Sequence, residues 1–171
     1  MFRPLGDAAL RIWRRSLAGN YDVNNTILVA SSGRGGSTWL GELVGTIAGY
    51  VILTEPLHLR HNPEIASLGF EWETYVPPDA SDPDKFEYLS DVVNGRNISS
   101  RIVSSKHVHW SDFRNFRGFV VKFTRANMLL GWFLRQMPLR TLFMIRHPCA
   151  VVLSQLRHRA WDGMTKESWP L

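Results

Sequence analysis

Thr26-Ile-Leu-Val-Ala-Ser-Ser-Gly-Arg-Gly-Gly-Ser-Thr-Trp-Leu40 joins an apolar segment to a glycine-rich turn and then, directly, to a segment with helical spacing. The apolar run 27–29 predicts a buried strand. Apolar residues recurring along one face predict that the following helix packs on a sheet: Trp39, Leu40, Leu43, Val44 and Ile47. A phosphate-binding loop requires this order of strand, turn and helix. Serine and glycine are also favoured in simple turns and helix caps, which is the plainer interpretation.

The residues of the turn favour a multiply charged oxyanion. Gly33, Gly35 and Gly36 allow backbone conformations and close approaches that a side chain forbids, so several N–H groups can converge on one anion. The positive end of the following helix adds to that attraction. Neighbouring side chains supply a guanidinium and two hydroxyls: Arg34, Ser37 and Thr38. We therefore expect this loop to hold a nucleotide phosphate.

The loop departs from the Walker A pattern of ATP- and GTP-binding proteins. That pattern has a lysine immediately before its final hydroxyl residue. Here Gly36 precedes Ser37, and Ser37 precedes Thr38. The missing lysine argues against a kinase or another NTPase. That class of protein remains an alternative interpretation of the loop.

A second stretch, from Arg140 to Leu156, repeats the order of strand, turn and helix. Leu142-Phe-Met-Ile145 predicts an apolar strand with Arg146 at its carboxyl end. Pro148 suits the first turn of a helix, where its missing N–H costs nothing. Ser154 lies about two helical turns further on. Arg146 and Ser154 are therefore candidates for a second phosphate site, although either can equally be a solvated charge or a tolerated helix serine.

Together these two stretches resemble the sulfotransferase family. Arg34-Gly-Gly-Ser-Thr-Trp39 is similar to the family's 5′-phosphosulfate loop, and the segment from Arg146 to Ser154 is similar to its 3′-phosphate motif. The resemblance implies 3′-phosphoadenosine 5′-phosphosulfate (PAPS) as the donor and no metal. It assigns donor binding to the residues Gly33, Arg34, Gly35, Gly36, Ser37, Thr38, Trp39, Arg146 and Ser154. Ligands of open α/β sheets bind at the carboxyl ends of the strands, which suits two such sites.

Two residues are candidates for catalysis. Arg34 would stabilise charge on the bridging oxygen and the departing 5′-phosphate, since an arginine does not give up its proton at neutral pH. Glu55, in the Glu55-Pro-Leu-His58 segment, is the candidate base, because a Glu-Pro pair follows the second strand in carbohydrate-type and bacterial sulfotransferases. Pro56 predicts an extended backbone at Glu55. His58 is a second candidate base.

The third strand departs from the cytosolic branch of the family. That branch has a Lys-x-His pair there, with the histidine as base. The corresponding strand of this chain has Lys122, but Thr124 stands where the histidine would be. Lys122 and Arg125 remain possible anion contacts. His107 and His109, upstream, are interpreted as ordinary exposed histidines.

The chain is predicted to be one α/β domain over 1–171, a three-layer P-loop-like fold with a central parallel sheet flanked by helices. Strands are predicted at 26–30, 50–53, 118–123 and 141–145, with a possible one near 101–104. Residues 1–24 predict a basic amphipathic segment that packs on the domain, and 62–94 a helix-and-loop insertion on the acceptor side. Because the chain ends at Leu171, soon after Ser154, we expect the fold to lack elements that family members have there.

Composition fits one core, with 44% hydrophobic residues, a net charge of +5 and one cysteine. No long basic run indicates nucleic acid, and no signal peptide or membrane span is visible. The expected protein is a cytoplasmic sulfotransferase acting on a hydroxyl or amine of an acceptor, and the expected acceptor is a carbohydrate or small metabolite. The alternative is a catalytically incompetent fragment that only binds PAPS or another nucleotide.

Overall fold

A computed structural model describes residues 7–17, 21–104 and 110–158. The described chain is an α/β structure with a four-stranded sheet and helices on both of its faces. The strands are β1 (Ile27–Ser31), β2 (Tyr50–Thr54), β3 (Gly118–Phe123) and β4 (Arg140–Met144). The helices are α1 (Asp7–Leu17), α2 (Ser37–Val44), α3 (Pro83–Val93), α4 (Trp110–Arg114), α5 (Leu130–Gln136) and α6 (Pro148–Leu156). Short 3₁₀ turns cover Val23–Asn25 and Pro63–Leu68.

The sheet is entirely parallel, with the strand order β2-β3-β1-β4. In the register, Val29 lies beside Lys122 on β3 and beside Leu142 on β4. Strands buried on both faces form continuous apolar runs, which explains why β1, β2 and β3 were predicted close to their observed bounds. Because every strand runs the same way, the loops that follow all four strands meet at one edge of the sheet.

The two faces of the sheet bury different sets of side chains. On one face, Val29, Ile52 and Val120 pack with Leu40 and Val44 of α2. On the other face, the larger core joins alternate strand residues to α1, α3 and α5; its largest fully buried side chains include Trp132, Phe119, Phe123 and Phe133. Truncating a buried phenylalanine to alanine typically costs about 3–5 kcal/mol. This larger core therefore supplies the rigid base from which the loops at the sheet edge project.

The predicted apolar face of α2 was partly wrong. Leu40 and Val44 do pack on the sheet, but Trp39 is 62% exposed and Leu43 51% exposed. The helix ends at Val44, so Ile47 lies beyond it and is also exposed. Residues three and four apart share a face only while the helix continues, and a helix of two turns covers the sheet with one narrow stripe.

Three other expectations concern segments outside the main strands. The possible strand near 101–104 is only a single antiparallel bridge between Leu53 and Val103. The N-terminal segment forms α1, and Leu10 and Trp13 of that helix join the larger core. The segment 62–94 contains a 3₁₀ turn and α3, and it contributes buried residues to the same core. His107 and His109 lie outside the described residues.

The strand β4 is less covered than its neighbours. Leu142 is 42% exposed and Phe143 50% exposed, and α6 has no buried residue. The apolar run that predicted this strand is therefore found at an open edge of the described sheet. It begins and ends one residue earlier than predicted.

Candidate functional site

The glycine-rich loop after β1 has a backbone that depends on glycine. Gly36 has φ +105° and occupies the N-cap position of α2, where no side chain caps the helix. A Cβ on Gly35 would lie 2.8 Å from the carbonyl oxygen of Ser32. Arg34 has φ +66°, which is unusual for a residue with a side chain. The N–H groups in the first turn of α2 lack acceptors within the helix, so this loop presents donors to an incoming anion.

The hydroxyl residues of the loop differ in position. Ser37 is only 3% exposed, whereas Thr38 is exposed and its Oγ1 lies 3.1 Å from Lys122 Nζ. Trp39 projects into solvent. Of these three side chains, Thr38 and Trp39 are therefore the accessible ones.

The second motif folds as a strand end followed by a capped helix. Pro148 occupies the first turn of α6, and the side chain of His147 accepts a hydrogen bond from the backbone N–H of Cys149. Ser154, in the last turn of α6, faces the glycine-rich loop. Arg146 comes from the short turn between β4 and α6.

The structure brings the two motifs into direct contact. Arg34 Nε donates to Ser154 Oγ at 3.1 Å, and Arg146 donates to the backbone carbonyl of Arg34 at 3.3 Å. Gln155 Nε2 donates to the carbonyl of Gly33 at 3.4 Å. Residues more than a hundred positions apart in the chain thus form one surface, because β1 and β4 are neighbours in the sheet.

This surface lines a cleft of about 290 Å³, which we call the basic cleft. Its lining residues are Arg34, Arg146, Ala150, Leu153, Ser154, Arg157 and His158. Three guanidinium groups line it, and no carboxylate belongs to that lining. Arginine guanidinium groups bind phosphate oxygens in a two-pronged manner. The cleft has the charge and the donor types that a phosphate group requires.

Glu55 adopts a conformation that the sequence did not predict. Its φ is +52°, in the left-handed region, and not the extended backbone expected before Pro56. The backbone N–H of Glu55 still donates to the carbonyl of Lys122 at 3.0 Å, and the chain then turns so that His58 N–H donates to the Glu55 carbonyl. A left-handed residue with a side chain costs about 1–2 kcal/mol. Contacts of the Glu55 carboxylate with β3 offset that cost.

Those contacts hold the carboxylate at both oxygens. Lys122 Nζ lies 3.1 Å from Glu55 Oε1. Thr124 donates to Glu55 Oε2 through its hydroxyl at 2.5 Å and through its backbone N–H at 3.3 Å. The Lys122 and Glu55 side chains are 11% and 15% exposed. Since Lys122 also contacts Thr38, a bonded chain of four side chains links Thr124 to the glycine-rich loop.

These side chains line a second cleft, which we call the acidic-residue cleft because it contains Glu55. Its volume is about 220 Å³, and it is bordered by Thr38, Gly41, Glu42, Ile52, Thr54, Glu55, His61, Arg101, Ser104 and Lys122. None of its lining residues belongs to the basic cleft. The glycine-rich loop contributes Arg34 to the basic cleft, and Thr38, directly after it, lines the acidic-residue cleft. The loop therefore lies between a cleft lined by arginines and a cleft that contains the Glu55 carboxylate.

A cluster of aromatic and basic side chains stands beside Glu55. The rings of His58 and His61 stack at 4.1 Å, and the edge of His58 meets Trp72 at 5.3 Å. Arg125 lies over the Trp72 ring at 4.2 Å. Burial lowers the pKa of His58, and the nearby charges of His61 and Arg125 lower it further. His58 is thereby favoured as the neutral imidazole.

Sequence reasoning missed part of this arrangement. Arg157 and His158 line the basic cleft but were not predicted to do so. Their spacing from Ser154 along α6 is a weak signal, since three and four residues separate neighbours on one face of a helix. Lys122 was noted only as a possible anion contact, and its bond to Glu55 required knowledge that β2 and β3 are adjacent.

Comparisons with known proteins add no family to this description: no protein-family model, curated protein or solved structure matches the chain. Within the described ranges, no group of three or more His, Cys, Asp or Glu side chains has a geometry suited to a metal ion. Of the described helices, none is long and apolar enough to cross a membrane.

Proposed function

We propose that the chain binds a nucleotide with phosphates on both sides of its ribose and transfers a sulfuryl group from PAPS to an acceptor. The observation that carries the proposal is the contact between Arg34 Nε and Ser154 Oγ at 3.1 Å. It joins the glycine-rich loop to the Arg146 and Ser154 motif in one basic cleft. A single phosphate needs only one of these elements, whereas a donor with a 5′-phosphosulfate and a 3′-phosphate suits both.

The strand order supports a P-loop-like fold. The glycine-rich loop follows β1, which lies between β3 and β4. Ligands of open parallel sheets bind outside the carboxyl ends of the strands. A loop after an inner strand, followed directly by a helix, gives its amides the positive end of the helix dipole as support. The missing Walker lysine distinguishes this loop from the loops that bind ATP or GTP.

The chemistry we propose is a direct transfer between two oxygens, or from oxygen to nitrogen. The acceptor atom forms a bond to the sulfur of PAPS while the bond from sulfur to the bridging phosphate oxygen breaks. The electron pair of the broken bond stays with the 5′-phosphate, so negative charge grows there. Arg34 and the loop amides would stabilise that charge, since donors fixed in advance favour the transition state over the ground state.

Glu55 is the proposed base, which takes the proton of the acceptor hydroxyl or amine. Thr124 and Lys122 hold its two oxygens. A carboxylate has about four acceptor sites, so three bonds from these residues leave one for the acceptor. The acidic-residue cleft, which contains Glu55, is also lined by Thr38 of the loop. An acceptor bound there would lie between the proposed base and the donor phosphosulfate.

Incubation with sulfur-labelled PAPS and a panel of carbohydrates and small hydroxyl or amine metabolites tests the proposal. We expect transfer to at least one acceptor, with a loss of about a hundredfold or more in Arg34→Ala. Arg135→Ala is the matched control, because Arg135 is exposed and pairs with the exposed Asp79, outside both clefts.

Three outcomes of this experiment differ in meaning. Binding of adenosine 3′,5′-bisphosphate without transfer to any acceptor would favour a binding fragment over an enzyme. Magnesium-dependent ATP hydrolysis that Arg34→Ala abolishes would favour an NTPase. If the chain neither transfers a sulfuryl group nor binds the bisphosphate, the proposed function is refuted altogether.

A further inference from the structure

Two neighbouring loops at the sheet edge contain buried polar atoms that have no partner within the described part of the chain. The loop after β2 contributes His58, and the loop after β3 contributes Arg125 and Asn127. His58 Nδ1, Arg125 Nε and Asn127 Oδ1 are buried and make no hydrogen bond with any residue in the described ranges. A buried polar atom left unpaired costs about 1–3 kcal/mol. Such atoms are uncommon in folded proteins, and three of them in two adjacent loops indicate a place where something polar binds.

Arg125 has the features of a prepared anion site. Its guanidinium carbon lies 4.2 Å from the centre of the Trp72 ring, and its hydrogen bond to the Trp72 carbonyl is long at 3.5 Å. Burial lowers the pKa of Arg125, and the charges of Glu55 and Glu73 oppose that shift. A stacked guanidinium loses little side-chain freedom on binding, and its fork matches a carboxylate or a sulfate.

The carboxylates near Arg125 leave its charge available. Glu55 is bound to Lys122 and Thr124, and within the described chain it forms no ion pair with Arg125. Glu73 is also near Arg125, but among the ion pairs of the described residues none joins the two, and burial raises the pKa of Glu73. The guanidinium is thus half buried near two carboxylates that do not reach it.

The surroundings of Arg125 add further positive charge. Arg60 approaches the Trp72 ring at 5.7 Å. His58 contacts Trp72 and stacks on His61, which lines the cleft that contains Glu55. The group therefore extends from Arg125 to the edge of that cleft.

We infer that Arg125 binds an anionic group of the acceptor, a carboxylate or a sulfate ester, next to the reacting hydroxyl or amine at Glu55. This inference rests on the proposed function for the role of Glu55, and it restricts the acceptors to acidic ones. Thr124 connects the two positions, since it holds Glu55 and directly precedes Arg125 in the chain.

The test is calorimetric titration of the whole chain, saturated with adenosine 3′,5′-bisphosphate, using glucuronate, glucose 6-sulfate and glucose. We expect at least one of the two anionic sugars to bind about tenfold more tightly than glucose, a difference of ~1.4 kcal/mol. The anionic sugar that binds more tightly shows whether a carboxylate or a sulfate is the preferred group. Equal affinities for all three sugars would overturn the inference.

Variants separate anion binding from folding. Arg125→Gln should remove the preference for the anionic sugar, and Arg125→Lys should restore part of it, because lysine keeps the charge but loses the fork. Arg135→Gln, an exposed arginine on α5, should leave the preference unchanged. If Arg125→Gln retains the preference while remaining folded, the inference is wrong. If Arg125→Gln fails to fold, Arg125→Lys is the deciding variant. A preference for the anionic sugar equal to that of the parent chain would then overturn the role of the guanidinium fork.

A direct readout also separates this inference from the proposed function. Titration with adenosine 3′,5′-bisphosphate alone measures the basic cleft, which contains neither Arg125 nor Trp72. Bisphosphate binding without a preference for anionic sugars refutes the acceptor site only. If the chain binds no bisphosphate, the three sugars are titrated in its absence. A preference for the anionic sugars in that titration refutes the proposed donor only.

Discussion

Replacing Gly36 by alanine tests the conformation of the glycine-rich loop. Gly36 has φ +105°, and a Cβ there would lie 2.9 Å from Met144 Sδ and 3.0 Å from Met144 Cε. The strained backbone costs about 1–2 kcal/mol. Moving the flexible Met144 side chain off its preferred rotamer adds about 0.5–1.5 kcal/mol. We therefore expect Gly36→Ala to lower the free energy of unfolding by about 1.5–3.5 kcal/mol.

Urea unfolding followed by circular dichroism measures this loss. For a chain of this length, a loss of about 1.5–3.5 kcal/mol corresponds to a decrease in Tm of about 3–14 °C. Gly131→Ala is the matched control, since Gly131 lies inside α5 and a Cβ there would have no heavy atom within 4 Å. That control should gain about 0.5–1 kcal/mol. A Gly36→Ala protein as stable as the parent chain, beside a normal control, would refute the account of the loop.

Three further variants address single contacts of the site. Glu55→Gln should reduce the rate of sulfuryl transfer by about 10²–10⁴-fold and leave bisphosphate affinity unchanged, as measured by initial rates and calorimetry; an unchanged rate would exclude Glu55 as the base. Ser154→Ala should weaken bisphosphate binding by about 0.5–1.5 kcal/mol, because the hydroxyl bonded to Arg34 is lost; equal affinity would remove Ser154 from the site. Burial lowers the pKa of His58 below its ordinary 6.5, so the unfolded chain binds more protons and stability declines as pH falls below that value. His58→Asn should weaken this decline, measured by urea unfolding at about pH 7.5 and about pH 5; an undiminished decline would assign it to other groups.

The elements that depend on local pattern could be predicted from the sequence. β1, β2 and β3 are apolar runs of five or six residues, and their bounds were predicted within one residue. The turn between β1 and α2 was identified by its glycines, two of which the structure shows to require the absence of a side chain. The predicted strand and proline-started helix of the second motif were also confirmed.

The geometry that depends on distant contacts could not be predicted. Proline after Glu55 favours an extended backbone in an isolated chain, but bonds from Thr124 and Lys122 on β3 hold Glu55 in the left-handed region. Stacking of Arg125 on Trp72 likewise joins loops far apart in the sequence. Only the strand order, which no local pattern encodes, brings these residues together.

The central claim is that the glycine-rich loop and the Arg146 motif bind two phosphates of one nucleotide. Calorimetric titration with adenosine 3′,5′-bisphosphate and with adenosine 5′-monophosphate tests it most directly. We predict that the bisphosphate binds at least about tenfold more tightly, a difference of ~1.4 kcal/mol, and that Arg146→Gln removes this preference while Arg135→Gln does not. Equal affinity for the two nucleotides, or a preference that survives Arg146→Gln, would contradict the claim.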